Sequence, residues 1–312
     1  MTAVAVLEPL APEADAVLRA HASEVREGLE APVAGTAAII TRGQGRLTSA
    51  VLRAAGPSLR CVARVGAGTD NIDVAAATAL GIPVFYAPDA FTAATAEHAL
   101  ALLLGLVRRI APLDAAVRAG GWAAARGAPG LADLAGQRMG VVGLGRIGRR
   151  FAELAQALGM EVVAWSRSAR DARFPHADLD LLLRTSDVVS LHLSLDAETR
   201  GFLSAARIAA LKPGAVVLNV ARGGLVDEAA LAEALRAGRL RGAALDVLSE
   251  EPPPAGHPLI GLPNVLLTPH VGALTGGAFR DACLQVARAV VDHLRGDPVD
   301  PAVVRNPGVL RG

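Results

Sequence analysis

The sequence predicts an α/β protein built from two parallel-sheet domains, and three observations carry that prediction. Short apolar runs alternate with longer helical patterns along most of the chain. The runs fall into two series separated by a glycine-rich stretch. Those of the second series are almost continuously apolar, as strands covered on both faces by crossover helices must be. With 312 residues the chain is long enough for two hydrophobic cores.

In the first series the strand candidates are "AVAVLE", "AAIIT", "CVARVG" and "PVFYA". "TSAVLRAAG" and "VAAATALG" lie between three of them as helical stretches ending in glycine. An apolar helix is expected over roughly 95–110, and "RAGGWAAARGAPGLADLAGQR" after it reads as a linker. The second series runs "MGVVG", "EVVAW", "DVVSLH", "AVVLNV", "GAALDV" and "NVLLTP", with "RIGRRFAELAQALG" and "DEAALAEALRAG" among the intervening helices. "FRDACLQVARAVVDHLRG" closes the pattern as an amphipathic helix.

Composition narrows the function classes. Hydrophobic residues make up 52% and charged residues 20%, an ordinary globular balance. Lys plus Arg total 31 against 30 Asp plus Glu, so charge gives no reason to expect nucleic acid or an anionic membrane as partner. Cys61 and Cys283 sit in apolar surroundings and suggest neither a disulfide framework nor a metal cluster. "MTAVAVLEPL" lacks the pattern of a signal peptide, and "AEHALALLLGLVRRI" is too short between charges to span a bilayer. The expected location is the cytoplasm.

The second series opens with "MGVVGLGRIGRRFAELA", which sets Gly143, Gly145 and Gly148 at G-x-G-x-x-G spacing between a strand and a helix. Such glycines permit a tight turn, close approach of a pyrophosphate and close helix–strand packing. The helix start at Arg146 and Ile147 offers unpaired amides to the phosphates. The next strand begins with Glu161, at the wrong end for a ribose-binding acid, and finishes at Ser166 and Arg167. Without a carboxylate there, a hydroxyl and a guanidinium can attract a 2′-phosphate. The expected cofactor is therefore NADP or NAD, with NADP preferred. Arg167 lying over the adenine, with Ser166 capping a turn, also fits.

Three further polar residues follow strands: Arg222 after "AVVLNVA", Glu251 after "GAALDVLSE" and His270 in "NVLLTPH". Carboxyl ends of strands converge on the ligand crevice of an open parallel sheet. Each residue alone could serve a helix terminus, an exposed loop or a cap; their repeated placement points to an active site.

Together with "RVGAGTDNID", "LKPGAVVLNVARGGLVDEAAL", "ALDVLSEEPPP" and "LPNVLLTPHVG", these motifs make the chain resemble the D-2-hydroxyacid dehydrogenase family over nearly its whole length. That family includes phosphoglycerate dehydrogenases and glyoxylate or hydroxypyruvate reductases. The resemblance implies two Rossmann-like domains with a cleft between them. Residues 1–99 and 285–312 would form the substrate-binding domain, and 100–284 the dinucleotide-binding domain. It makes Arg222 the substrate-binding arginine, His270 the acid/base and Glu251 the partner acid of that histidine. It places Val65 and Gly66 in the substrate-carboxylate loop, Asp246 near the nicotinamide carboxamide, and Arg42 near a substrate phosphate. Arg46 competes for that last role, and His192 reads as structural or close to the cofactor.

The implied reaction moves a hydride between NAD(P) and a D-2-hydroxy acid/2-oxo acid pair, and no metal is required. Arg222 would hold the carboxylate, His270 would carry the proton, and Glu251 would orient the imidazole and favour its protonated form. Glyoxylate, hydroxypyruvate and the 3-phosphoglycerate/phosphohydroxypyruvate pair are the leading substrates. The alternative is a noncatalytic NAD(P)(H)-sensing interaction protein or corepressor. A homodimer is implied by the resemblance. Departures from the family are Tyr86 and Phe91 where asparagines are frequent, Ala94 where a serine is frequent, and Ser194 where a proline is frequent.

Overall fold

The computed structural model describes residues 2–30, 33–127 and 130–311. It divides into two compact units: residues 1–91 with 274–312, and residues 92–273.

The first unit begins with β1 (Ala3–Val6), α1 (Pro12–His21), β2 (Glu24–Glu27), β3 (Ala38–Thr41) and α2 (Ser49–Ala55). It continues with β4 (Cys61–Arg64), α3 (Val74–Ala79) and β5 (Val84–Tyr86). The strands form one parallel sheet in the order β2-β1-β3-β4-β5. β1 and β3 are buried at every position, which is why they read as unbroken apolar runs. Helix starts are set by local side chains: Thr48 accepts from the Val51 amide and Asp73 from the Ala76 amide. β2 escaped the sequence reading because "EVRE" is a polar edge strand, identifiable only through its pairing of Ala3 with Glu24.

The second unit contains α4 (Thr92–Val107), α5 (Ile110–Arg118), α6 (Trp122–Arg126), β6 (Arg138–Val142), α7 (Arg146–Ala157) and β7 (Glu161–Trp165). After them come α8 (Leu179–Thr185), β8 (Val188–Leu191), α9 (Ala205–Ala210) and β9 (Val216–Asn219). α10 (Glu228–Arg236), β10 (Gly242–Leu245) and β11 (Val265–Leu267) complete it. All six strands are parallel, in the order β11-β10-β9-β8-β6-β7. One face of this sheet packs on α4 and α7 through Leu103, Met139 and Phe151. The other packs through Leu182, Val217 and Leu231. Because β6 lies between β7 and β8, the chain reverses its direction of progress at β6, and the crevice of such a sheet opens beyond the carboxyl ends of β6 and β8.

The chain then returns as α11 (Gly276–Arg295) to the first unit, where it packs on α1 and β4 and buries Cys283, Val286 and Val290. The observed boundaries keep α4 whole in the second unit and α11 whole in the first, whereas divisions at 99/100 and 284/285 would cut both helices. The stretch expected as a linker, 118–138, belongs to the second unit and carries α6; Gly120, in the left-handed region at φ 80°, makes the turn into it. Ala128 and Pro129 of that stretch lie outside the described residues. Among the described residues no helix is long and apolar enough to cross a membrane.

Candidate active site

The glycine turn occupies the switch point of the second sheet. Gly143 has φ 103°, and a Cβ there would stand 2.6 Å from the His192 carbonyl oxygen. A Cβ on Gly148 would stand 2.0 Å from the Gly143 carbonyl oxygen, so the first turn of α7 lies directly on the loop. Gly145, in contrast, has no neighbour within 4 Å of its added Cβ. It also precedes α7 without offering a side-chain cap, leaving the helix-start amides available to an anion. Two glycines are thus demanded by packing and one keeps space open, and the loop fits a dinucleotide pyrophosphate. Arg146 and Ile147 open α7 as the motif requires.

Ser166 and Arg167 follow β7. The Arg167 guanidinium is held by two carboxylates of the loop after β8, Asp196 at 2.9 Å and Glu198. This engagement was not legible in the sequence, because the acids lie about thirty positions away.

His192 directly follows β8, against the glycine turn. Its Nε2 lies 2.7 Å from Ser190 Oγ, its ring stacks at a tilt on Phe151, and its buried Nδ1 has no partner among the described residues. Burial pushes this imidazole down to about 3. A histidine depressed on folding takes up its proton more readily when unfolded, so stability is lost as pH falls from about 6.5 toward 3. Between pH 6.5 and 5 the unfolding free energy, read from urea melts, should therefore fall further for the native protein than for His192→Gln, by up to about 2 kcal/mol.

The polar trio is assembled on the ends of β9, β10 and β11. Asn219, the buried last residue of β9, accepts from the Ala221 amide at 3.0 Å and donates to the Arg222 carbonyl at 2.9 Å. That side chain folds the turn that delivers Arg222, and its position after an apolar run was the available signal. Glu251 Oε2 accepts from His270 Nδ1 at 2.7 Å, and Oε1 accepts from the Leu248 amide at 3.0 Å. Burial pushes the half-buried Glu251 carboxyl upward, but the His270 hydrogen bond, the Leu248 amide and the charges of His270 and Arg222 outweigh it. The net shift is below the usual glutamate value. With Nδ1–H donated to the carboxylate, His270 Nε2 faces away with its proton-transfer capacity intact.

His270 has φ 54°, in the left-handed region that a non-glycine residue enters at some cost. Asp246 enforces it. Its carbonyl accepts from the His270 amide at 2.8 Å, and its carboxylate from the Val271 and Gly272 amides at 3.0 and 2.8 Å and from Thr268 Oγ1 at 2.6 Å. His98 of α4 adds its Nε2 at 3.2 Å from the same carboxylate. Asp246, expected beside the nicotinamide carboxamide, is thus first of all the residue that shapes the His270 turn. His98 was passed over because a lone histidine on an apolar helix resembles a core residue.

In the first unit, Val65 and Gly66 follow β4; the Val65 amide donates to Thr41 and the Gly66 carbonyl accepts from Ala87. The Arg42 guanidinium donates to the Pro9 carbonyl at 3.1 Å and lies 4.5 Å over the Phe279 ring. The amides of Arg42, Gly43, Gln44 and Gly45 all point at the buried Glu8 carboxylate, at 2.7–3.2 Å. The loop after β3 therefore already encloses an anion of its own. Phe91 and Ala94, at positions that are polar in many relatives of the family pattern, are buried.

Residues 100–272 match the family profile described as D-isomer specific 2-hydroxyacid dehydrogenase, NAD binding domain. The chain belongs to that family. It is 39% identical to the D-3-phosphoglycerate dehydrogenase of Archaeoglobus fulgidus, over 96% of this chain and 59% of that protein. The chain thus spans little more than half of that relative. A Thermus thermophilus protein superimposes with a TM-score of 0.88 at 38% identity, covering 97% of this chain and 100% of its own. A glyoxylate reductase from Paecilomyes thermophila gives 0.87 at 30% identity, covering 96% of this chain and 97% of its own.

Proposed function

We propose that this member of the family reduces small 2-oxo acids to D-2-hydroxy acids with a nicotinamide cofactor, and catalyses the reverse oxidation. The observation that carries the reading is the 2.7 Å Glu251–His270 pair, formed at strand ends of the unit that holds the glycine turn. A bound nicotinamide supplies or accepts the hydride. Arg222 holds the substrate carboxylate and polarises the carbonyl, with Val65 and Gly66 assigned to the carboxylate by the family pattern. His270 gives its Nε2 proton to the carbonyl oxygen, and Glu251 keeps the ring oriented and supports its positive charge. Asp246 Oδ2 retains acceptor capacity for a carboxamide beyond its bond to Gly272. The hydrogen-bonded Glu251–His270 pair, with Arg222 on a neighbouring strand end, favours an enzyme over a noncatalytic sensor.

Among substrates the reading favours unphosphorylated acids, glyoxylate and hydroxypyruvate, over phosphohydroxypyruvate. Glu8 already fills the amide ring of the Arg42 loop and would repel a phosphate there. A preference for NADP rests on Ser166 and Arg167, and Asp196 and Glu198 make it a small one, since a 2′-phosphate must compete for the same guanidinium. A homodimer is supported by the exposed apolar face of the α5–α6 region, where Ile110, Val117, Trp122 and Leu131 lie open. A cytoplasmic location is carried forward from the sequence.

Initial rates of NADH and NADPH against glyoxylate, hydroxypyruvate, phosphohydroxypyruvate and bulkier 2-oxo acids test the reading. Turnover should be greatest on the first two, and a panel without turnover overturns it. Arg167→Ala should lower kcat/KM for NADPH about fivefold, consistent with loss of one exposed charge contact, and leave NADH unaffected.

A further inference from the structure

Glu251 sits on an exposed loop. From Ser249 to Gly256 every residue but Pro253 is at least partly open to solvent, Glu251 by about two-fifths of its side chain. A proton-transfer pair must nevertheless be held to a fraction of an ångström. The loop's own bond, from the Leu248 amide to Glu251 Oε1, shapes only the turn itself.

The anchor lies underneath. Glu228, the first residue of α10, is 9% exposed, and its carboxylate is turned away from solvent into this loop. Oε1 accepts from the Ser249 amide at 2.7 Å, and Oε2 accepts from the Ser249 hydroxyl. Oε2 also lies 3.1 Å from Nε2 of His257, which is 7% exposed and whose Nδ1 accepts from the Leu259 amide at 3.4 Å. One carboxylate therefore ties residue 249 to residue 257, the two ends of the exposed segment. A second hold comes from Gly223, where a Cβ would stand 1.9 Å from the Leu248 carbonyl carbon. The turn that carries Arg222 is thereby pressed against the Leu248–Ser249 peptide, where the Glu251 loop begins.

Capping of α10 does not explain this arrangement. Asp227 already accepts from the Ala230 amide at 3.0 Å, and an acid in the first turn needs no inward orientation to favour the helix dipole. Enclosing a carboxylate is costly unless its oxygens are satisfied, and here every donor that satisfies them comes from the Glu251 loop.

We propose that Glu228 is a positioning residue for the reaction, fixing Glu251 against His270 by tying Ser249 to His257. This rests on the reading of Glu251 and His270 as the proton-transfer pair. Glu228 does not touch the reacting atoms; it sets where Glu251 points.

The test uses the full chain. Glu228→Ala should lower kcat about 30-fold while KM for glyoxylate and nucleotide affinity stay within about threefold. Glu228→Gln should restore part of that loss, because its amide oxygen still accepts from Ser249. In a Glu251→Gln background Glu228→Ala should cause no further loss, since two residues acting through one contact are not additive. His257→Gln, which removes one arm only, should show the same pattern at smaller size and covers the case in which Glu228→Ala does not fold. The low-field proton resonance of the His270–Glu251 bond, assigned by its loss in His270→Gln, should broaden or vanish in Glu228→Ala or, failing that, His257→Gln. Unchanged kcat in the folded variants, losses that multiply with Glu251→Gln, or an unaltered resonance would each overturn the proposal. The resonance does not depend on turnover, so it judges Glu228 even if the native protein reduces no 2-oxo acid and the dehydrogenase reading falls.

Discussion

His270→Gln is expected to lower kcat about 10³-fold while nucleotide affinity, followed by fluorescence titration, stays unchanged. The size follows from the role: a positioned proton donor to a developing alkoxide is worth several powers of ten, and water is a poor substitute. The position adds a complication. At φ 54° a glutamine is less well tolerated than a histidine or asparagine, so part of any loss could come from the backbone. His270→Asn separates the two, because asparagine accepts the left-handed conformation but cannot carry the proton. Both variants should be equally inactive. Substantial turnover in either one removes His270 from the acid/base role.

Arg222→Gln is expected to lower kcat/KM about 10³-fold, roughly 4 kcal/mol of transition-state binding. A guanidinium grips a carboxylate through two parallel bonds, and a neutral amide offers neither the charge nor the fork. Arg222→Lys keeps the charge alone and should recover only part of the loss. The turn itself should survive, since the Asn219 side chain donates to the backbone carbonyl of residue 222, which the substitution leaves in place. Steady-state rates on glyoxylate check the effect, and equal efficiency of Arg222→Gln would place the carboxylate elsewhere.

Much of this architecture was legible in the sequence because buried parallel strands leave unbroken apolar runs, as β1 and β10 do. The glycines were legible because they answer local demands, a positive φ at Gly143 and a close contact at Gly148. Arg222, Glu251 and His270 stood out through their place after strands. What escaped was set by distant partners. β2 is a strand only because β1 lies beside it, and no composition rule would select "EVRE". Arg167 looked available for a phosphate because Asp196 and Glu198 approach it only in the folded chain. The partners of Arg42 are equally distant: Pro9 and Phe279 meet its guanidinium, and Glu8 its amide, only in the folded chain. His98 and Glu228 show the same limit: each supports a site residue from beneath, and support leaves no local pattern.

The second unit is one uninterrupted segment, and its two ends are neighbours. A Cβ on Gly272, one residue before the unit closes, would stand 3.1 Å from the His98 ring on the helix that opens it. The chain enters and leaves this unit at nearly the same place. A segment with that property behaves as a cassette: it can be gained, lost or exchanged by a single insertion without rerouting the host. The nucleotide-site candidate and all three polar residues of the trio travel inside it, while Val65 and Gly66 stay with the host. Exchanging cassettes between relatives would therefore move the glycine turn and the polar trio as one inheritance, and leave Val65 and Gly66 behind.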